Sequence, residues 1–209
     1  SFKLSSGIDA AADANGFCVV YLEGNGNPIS FPNLKSWNAG ECCSYANTGD
    51  IDDVSYATLV IQEMRKRYPS MTQIYFAGYS NGGGMVMTML LAALNEVAGA
   101  VVKAAFNAAD RDVGVDTSST IPLKIIHQDG DPTVPWLGGV GDASSHSFYS
   151  GASTETYLED RGFTLKPSNA TSVLSGSGHS YASYNTLLSP SSFADEIVKM
   201  VTATGDWTP

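Results

Sequence analysis

The sequence predicts an α/β fold, a mainly parallel sheet covered by helices on both faces. Three observations carry that expectation. Short apolar runs alternate with helical stretches along the 209 residues. One of those runs, Ile74-Tyr75-Phe76-Ala77, passes straight into Gly78-Tyr79-Ser80-Asn81-Gly82 and then into a second helical stretch. The composition, 43% hydrophobic and 15% charged, is that of a globular chain long enough for one domain over residues 1–209.

Taken in order, Phe17-Cys18-Val19-Val20-Tyr21-Leu22 is a short apolar run between Gly16 and a Gly/Asn/Pro-rich stretch, and it predicts a buried strand. The next thirty or so residues read as loop and hold Trp37-Asn38 and the pair Cys42-Cys43. A helix is expected from about Asp52, with Val54, Ala57, Ile61 and Met64 on one face. Acidic residues at its start and Arg65, Lys66 and Arg67 at its end suit the helix dipole, and Tyr68-Pro69 closes it. Ile74–Ala77 is the next strand. Met85 to Leu94 is apolar all round, which predicts a buried helix, and Ala100–Phe106 and Leu123–His127 are two further strands. Thr154 to Arg161 reads as helix and Thr171–Leu174 as a weaker strand. Phe193, Ile197, Met200 and Val201 mark one face of a last helix.

With a net charge of −10 and only 11 Lys and Arg residues, the chain lacks an electrostatic footprint for nucleic acid. No apolar run approaches the roughly 20 residues of a membrane span. The chain opens Ser1-Phe2-Lys3-Leu4, so a processed or trimmed product is expected. Three cysteines leave one thiol unpaired within the chain. Adjacent cysteines bond each other only with strain, so one of Cys42 and Cys43 is expected to pair elsewhere, while Cys18 is expected in a buried strand. The sequon Asn169-Ala170-Thr171 fits an extracellular, secreted chain.

Chemistry concentrates in three places. Gly78-Tyr79-Ser80-Asn81-Gly82 between a strand and a helix is the context of a nucleophile elbow. Glycines at Gly78 and Gly82 would remove side chains that clash in so tight a turn. Ser80 would then stand at the carboxyl edge of the sheet, over a helix N-terminus that favours developing negative charge. A serine needs a base. Of His127, His146 and His179, only His179 lies after the last predicted strand and before the final helix, in Gly176-Ser177-Gly178-His179-Ser180. His127 ends a strand and reads as structural, and His146 as an exposed loop residue. The base in turn needs an acid to orient it, and the loop after Leu123–His127 offers Asp129 and Asp131; Pro132 and Pro135 stiffen the exit of Asp131. Asp52 and Asp53 are read as helix caps, since Asp50–Asp53 lacks the EF-hand pattern. Asp110, Asp112 and Asp116 dot a loop. Three scattered histidines and a cysteine pair give no zinc spacing, so neither metal nor cofactor is expected.

These residues resemble the polyhydroxybutyrate depolymerase-like esterases, including the feruloyl and acetylxylan esterases of carbohydrate esterase family 1. The resemblance is carried by Gly16–Tyr21, Trp37-Asn38-Ala39-Gly40-Glu41-Cys42-Cys43, Asp52-Asp53-Val54, Gly78–Gly83, His127–Pro135 and Gly178-His179-Ser180. It implies an α/β-hydrolase fold with Ser80 as nucleophile, Asp131 as acid and His179 as base, secretion, and release of acyl groups from plant cell-wall polysaccharide. The same resemblance implies an upstream strand ending in His-Gly, whose following residues donate the second oxyanion N–H. This sequence carries no such strand; either it belongs to a longer chain or another segment fills the sheet. Asn81 N–H is the expected first oxyanion donor. Tyr79, Trp136 and Trp37 are the aromatics expected to line the acyl or sugar side of the pocket.

The expected activity is therefore a monomeric, secreted serine esterase acting by acyl-enzyme chemistry, with a feruloyl ester of polysaccharide as first substrate. Acetylxylan and polyhydroxyalkanoate are the competing substrates. The rival from another class is a non-catalytic ligand-binding or inactive truncated relative.

Overall fold

The computed structural model of the chain describes residues 3, 6–40, 43–92, 97–105, 121–142, 147–161, 163–165, 171–180 and 193–203. Cys42, His146, the loop aspartates Asp110, Asp112 and Asp116, the ends of two predicted elements at Leu94 and Phe106, and Asn169-Ala170 of the sequon lie outside the described residues.

Helix α1 (Ile8–Asn15) leads into an extended stretch and then a hairpin of β1 (Asn25–Asn27) and β2 (Phe31–Ser36). Short helix α2 (Ser44–Thr48) and long helix α3 (Asp53–Arg67) follow, then β3 (Ile74–Tyr79), α4 (Asn81–Leu91), β4 (Val97–Lys103) and β5 (Pro122–Gln128). A two-stranded ribbon, β6 (Gly139–Val140) with β7 (Ser147–Phe148), precedes α5 (Gly151–Glu159). Strands β8 (Thr164–Leu165) and β9 (Thr171–Leu174) and helix α6 (Phe193–Thr202) complete the order.

The main sheet runs β3-β4-β5, and every pairing in it is parallel. Strand β5 is covered on its far edge by two short strands in succession, β8 opposite Pro122 and Leu123 and β9 opposite Ile125 to Gln128. Parallel strands buried on both faces read as continuous apolar runs, and the alternation of side chains sorts them. Ala100, Val102, Leu123 and Ile125 pack with Val86, Met87, Leu90 and Leu91 of α4 and Leu158 of α5. Val101 and Ile126 face the other way, against Ile8 of α1 and Phe193, Ile197 and Met200 of α6. Helix α4 is buried from Met85 to Leu91 because it is squeezed between the sheet and the helices beside it: Met85 and Met89 touch Ala57 of α3.

Two sequence expectations change here. Phe17–Leu22 is extended but is no strand; among the described residues no strand pairs with it. Its side chains still alternate: Phe17, Val19 and Tyr21 rest on the core, while Cys18 and Val20 are exposed. A strand needs a neighbour to complete its ladder, so the period-2 pattern survives without the hydrogen bonds. Cys18 is accordingly an exposed free thiol and not a buried one. The stretch read as loop holds the β1–β2 hairpin and α2, which Gly, Asn and Pro punctuation conceals.

Candidate active site

Strand β3 delivers Ser80 through a turn the backbone adopts only under constraint. Ser80 has φ 52° and ψ −127°, outside the ordinary regions for an L-residue. Its N–H donates to the Lys103 carbonyl of β4 at 2.9 Å, and its own carbonyl accepts the Gly84 N–H at 3.0 Å, tying the turn to both sheet and helix. A Cβ on Gly78 would lie 2.3 Å from the Gly82 carbonyl oxygen, so the turn demands glycine there. The steric expectation fails at Gly82, where a Cβ would meet nothing closer than Trp37 Nε1 at 3.8 Å. The crowded position is Gly83, packed on Ala105 and Val102.

His179 lies beyond the carboxyl end of β9, and Asp131 in the loop after β5, the strand β9 pairs with. The two loops are stitched together. Asp129 N–H donates to the Leu174 carbonyl at 3.1 Å, Gly130 N–H to the Gly176 carbonyl at 3.0 Å, and the Asp129 carboxylate accepts the Gly176 N–H at 3.0 Å. A Cβ on Gly130 would sit 2.7 Å from the Gly176 carbonyl oxygen, so only glycine permits this approach. Asp131, whose side chain is fully buried, accepts the Thr133 and Val134 N–H groups on Oδ1 at 2.9 and 3.0 Å.

The structure brings Ser80, His179 and Asp131 into one relay. His179 Nδ1 stands 2.8 Å from Asp131 Oδ2 and 3.0 Å from Oδ1, and His179 Nε2 stands 2.6 Å from Ser80 Oγ. A carboxylate can only accept, so Nδ1 carries the ring proton, and the Nε2 lone pair faces the serine hydroxyl. The hydroxyl therefore donates to the atom that would take its proton.

Around this relay the other predicted residues divide. Asn81 opens α4, where its N–H has no acceptor within the helix. Its side chain clasps the Trp37 backbone in both directions: Trp37 N–H donates to Oδ1 at 2.7 Å, and Nδ2 donates to the Trp37 carbonyl at 3.0 Å. Trp37 is thereby fixed beside the elbow, its ring stacked on Tyr56 at 6.3 Å. Tyr79 donates its hydroxyl to the His179 carbonyl and stacks on the His179 ring at 5.7 Å, so it braces the base. Trp136 is half-buried. Its ring packs against the core, 5.9 Å from the His127 ring, and a Cβ on Gly151 would come within 2.4 Å of it.

Two residues do more than their sequence context shows. Asp52 caps α3 through the Ser55 N–H at 2.9 Å, but Asp53 turns inward. It accepts the Asn38 N–H at 2.7 Å and the Asn25 amide at 3.5 Å; burial holds its carboxyl above the usual range, and these hydrogen bonds offset only part of that rise. His127, fully buried, donates from Nε2 to the Val134 carbonyl at 2.8 Å and so fixes the turn that presents Asp131. Burial lowers its pKa to about 4. That dual role was invisible in sequence because the bonded residue, Val134, is an apolar one engaged through its backbone. Among the described residues no group of His, Cys, Asp and Glu is arranged to hold a metal ion.

A crystal structure of a variant of Arabidopsis thaliana SOBER1 matches with a TM-score of 0.60, over 99% of this chain and 92% of that one, at 14% identity. The chain has the α/β-hydrolase fold. Feruloyl esterase B of Piromyces equi is 31% identical over 134 residues, 62% of this chain and 23% of that protein. NocK of Nocardia uniformis subsp. tsuyamanensis, described as a candidate esterase, is 28% identical over 134 residues, 64% of this chain and 36% of that protein. The chain thus spans well under half the length of these curated relatives. No protein-family model matches it.

Proposed function

We propose that the chain is a serine carboxylic-ester hydrolase, on the strength of one observation: Ser80 Oγ, His179 and Asp131 form a continuous hydrogen-bonded relay at the carboxyl edge of a parallel sheet. Ser80 attacks the ester carbonyl as His179 Nε2 takes its proton, and the imidazolium that forms is held by Asp131. The protonated base then gives its proton to the departing alcohol, leaving an acyl-Ser80. Water, activated by the same base, hydrolyses that acyl-enzyme. Asn81 N–H, at the start of α4, is the proposed first oxyanion donor, where the helix dipole favours the tetrahedral anion.

A feruloyl ester of plant polysaccharide is the proposed substrate, and likeness to a feruloyl esterase supports it. Membership of carbohydrate esterase family 1 and secretion belong to the same proposal, supported by the ordered motifs from Gly16 to Ser180. Ser80→Ala is expected to abolish fluorophosphonate labelling and to lower ester hydrolysis by about 10⁴-fold or more. Parent protein that takes no label and matches Ser80→Ala on aryl acetates would overturn the enzyme reading. Relative rates on methyl ferulate, acetylated xylan and hydroxybutyrate oligomers assign the acyl group; feruloyl preference is the expected result.

A further inference from the structure

In the proposed reaction the anionic oxygen of the tetrahedral intermediate has one donor, the Asn81 N–H, whereas oxyanion sites act through donors that converge on that oxygen. The segment Trp37-Asn38-Ala39 lies against the same end of α4. A Cβ on Gly82 would have Trp37 Nε1 at 3.8 Å, and a Cβ on Gly84 would crowd the Ala39 Cβ at 3.0 Å, so the small residues of α4 let the segment come this close. The indole nitrogen therefore stands one residue along from the Asn81 N–H, beside the turn whose N–H groups lack helical acceptors.

The other polar atoms of Trp37 are engaged. Its backbone N–H donates to Asn81 Oδ1 at 2.7 Å, and its carbonyl accepts Asn81 Nδ2 at 3.0 Å and the Cys43 N–H at 3.3 Å. The next residue is pinned as well: the Asn38 N–H donates at 2.7 Å to Asp53, which is only 1% exposed. The Trp37 ring stacks on Tyr56 with 19° between the planes. Among the described residues nothing accepts the indole N–H, which reaches solvent and is not sealed in the core. An indole nitrogen can only donate, and a tryptophan packed into a protein ordinarily finds a partner for it. Beside a helix end that favours negative charge, the partner it suits is an anionic oxygen.

We infer that the Trp37 indole N–H is a second oxyanion donor, bonding the carbonyl oxygen of the ester as that oxygen becomes negative at Ser80. The inference rests on the hydrolase reading of Ser80. It makes Trp37 a catalytic residue and not a wall of the acyl or sugar pocket. The two donors are fixed to one another, because the side chain of Asn81 holds the backbone of Trp37. Such a pair needs no reorganisation when charge develops.

Fluorophosphonate is applied to the parent protein first, and labelling of Ser80 is expected. Trp37→Phe keeps a ring for Tyr56 and leaves the backbone clasp with Asn81 in place, so it removes little besides the donor. On an aryl acetate it should lower kcat about 10²-fold with KM within about threefold, the pattern of a contact made only in the transition state. Unchanged thermal unfolding checks that the variant folds. A second measurement needs no variant. In the phosphonylated parent, the phosphonyl oxygen stands in for the tetrahedral oxygen, and the Trp37 indole N–H signal, assigned by triple-resonance NMR, should move downfield. A KM that rises with kcat unchanged would make Trp37 a lining residue. Unaltered kinetics, or an indole signal that stays in place on phosphonylation, would equally overturn the donor. A parent chain that takes no label and hydrolyses no ester removes the hydrolase reading and the donor with it. A labelled parent whose Trp37→Phe variant turns over normally removes the donor alone.

Discussion

Asp129 and Asp131 have the same side chain on the same loop and different partners, and the difference can be measured. Asp131 faces His179 Nδ1, and losing its charge would leave the imidazole free to take the wrong tautomer. Asp131→Asn is expected to cut kcat by about 10⁴-fold. Asp129 instead accepts the Gly176 N–H, which an asparagine oxygen can also do. Asp129→Asn should therefore cost less than about tenfold, the scale of one neutral hydrogen bond. Steady-state rates of the two variants on one aryl ester decide this. His127 carries a pH signature. Its pKa is about 4 in the folded chain, lowered from 6.5 by burial, and partly restored by the Val134 carbonyl and Asp131. Between those values the unfolded chain binds the proton and the folded chain does not, so stability is complete above about pH 6.5 and lost as pH falls toward 4. The loss attributable to His127 is roughly 3 kcal/mol. His127→Gln should flatten the denaturation free energy over that window, as read by urea titrations at several pH values.

At the scale of elements, the elbow shows which glycine a motif needs. Gly78→Ala forces a methyl against the Gly82 carbonyl at 2.3 Å, backbone that cannot rotate aside, and is expected to cost about 2 kcal/mol or more. Gly82→Ala meets only ordinary contact and stands in the first turn of α4, where alanine is the better helix former. Its stability should stay level or rise by up to about 1 kcal/mol. Chemical denaturation of the two variants distinguishes them, and equal destabilisation would contradict the geometry. The Phe17–Leu22 stretch teaches the complementary point. Alternation of side chains shows which face lies on the core, but whether a ladder forms depends on a neighbour that local sequence does not name.

Across the whole molecule, α6 is held to the sheet by more than its apolar face. Lys124 of β5 and Glu196 of α6 lie 4.0 Å apart with side chains only 7% and 8% exposed, and Lys199 reaches the same carboxylate at 2.8 Å. Glu196 serves both Lys124 and Lys199, so Glu196→Ala is expected to destabilise the fold by about 1–3 kcal/mol. Replacing Lys124 and Glu196 together by Met and Leu should recover most of that loss. Thermal unfolding of the single and double variants checks it; equal destabilisation would show that apolar packing does not replace the pair.

The parallel sheet, the elbow and the position of His179 were legible in the chain because each is encoded locally. Apolar runs of the right length mark β3, β4 and β5, and chain order after the last strand singles out one histidine of three. Element edges were read less well: β4 begins at Val97, three residues ahead of its expected start, because Gly99 interrupts the apolar run. The choice of Asp131 over Asp129 rests on a family likeness; the structure sets Asp131 against His179 and Asp129 against Gly176. What only the tertiary structure decided are relations between distant segments. These are the clasp of Asn81 on Trp37 and the inward turn of Asp53, with Tyr79 bracing His179 and Trp136 set against His127. The physical reason is the same in each case. Local pattern fixes which face of an element is apolar, whereas a side chain's partner is set by which backbone arrives opposite it, and that is decided when the sheet and its loops pack together.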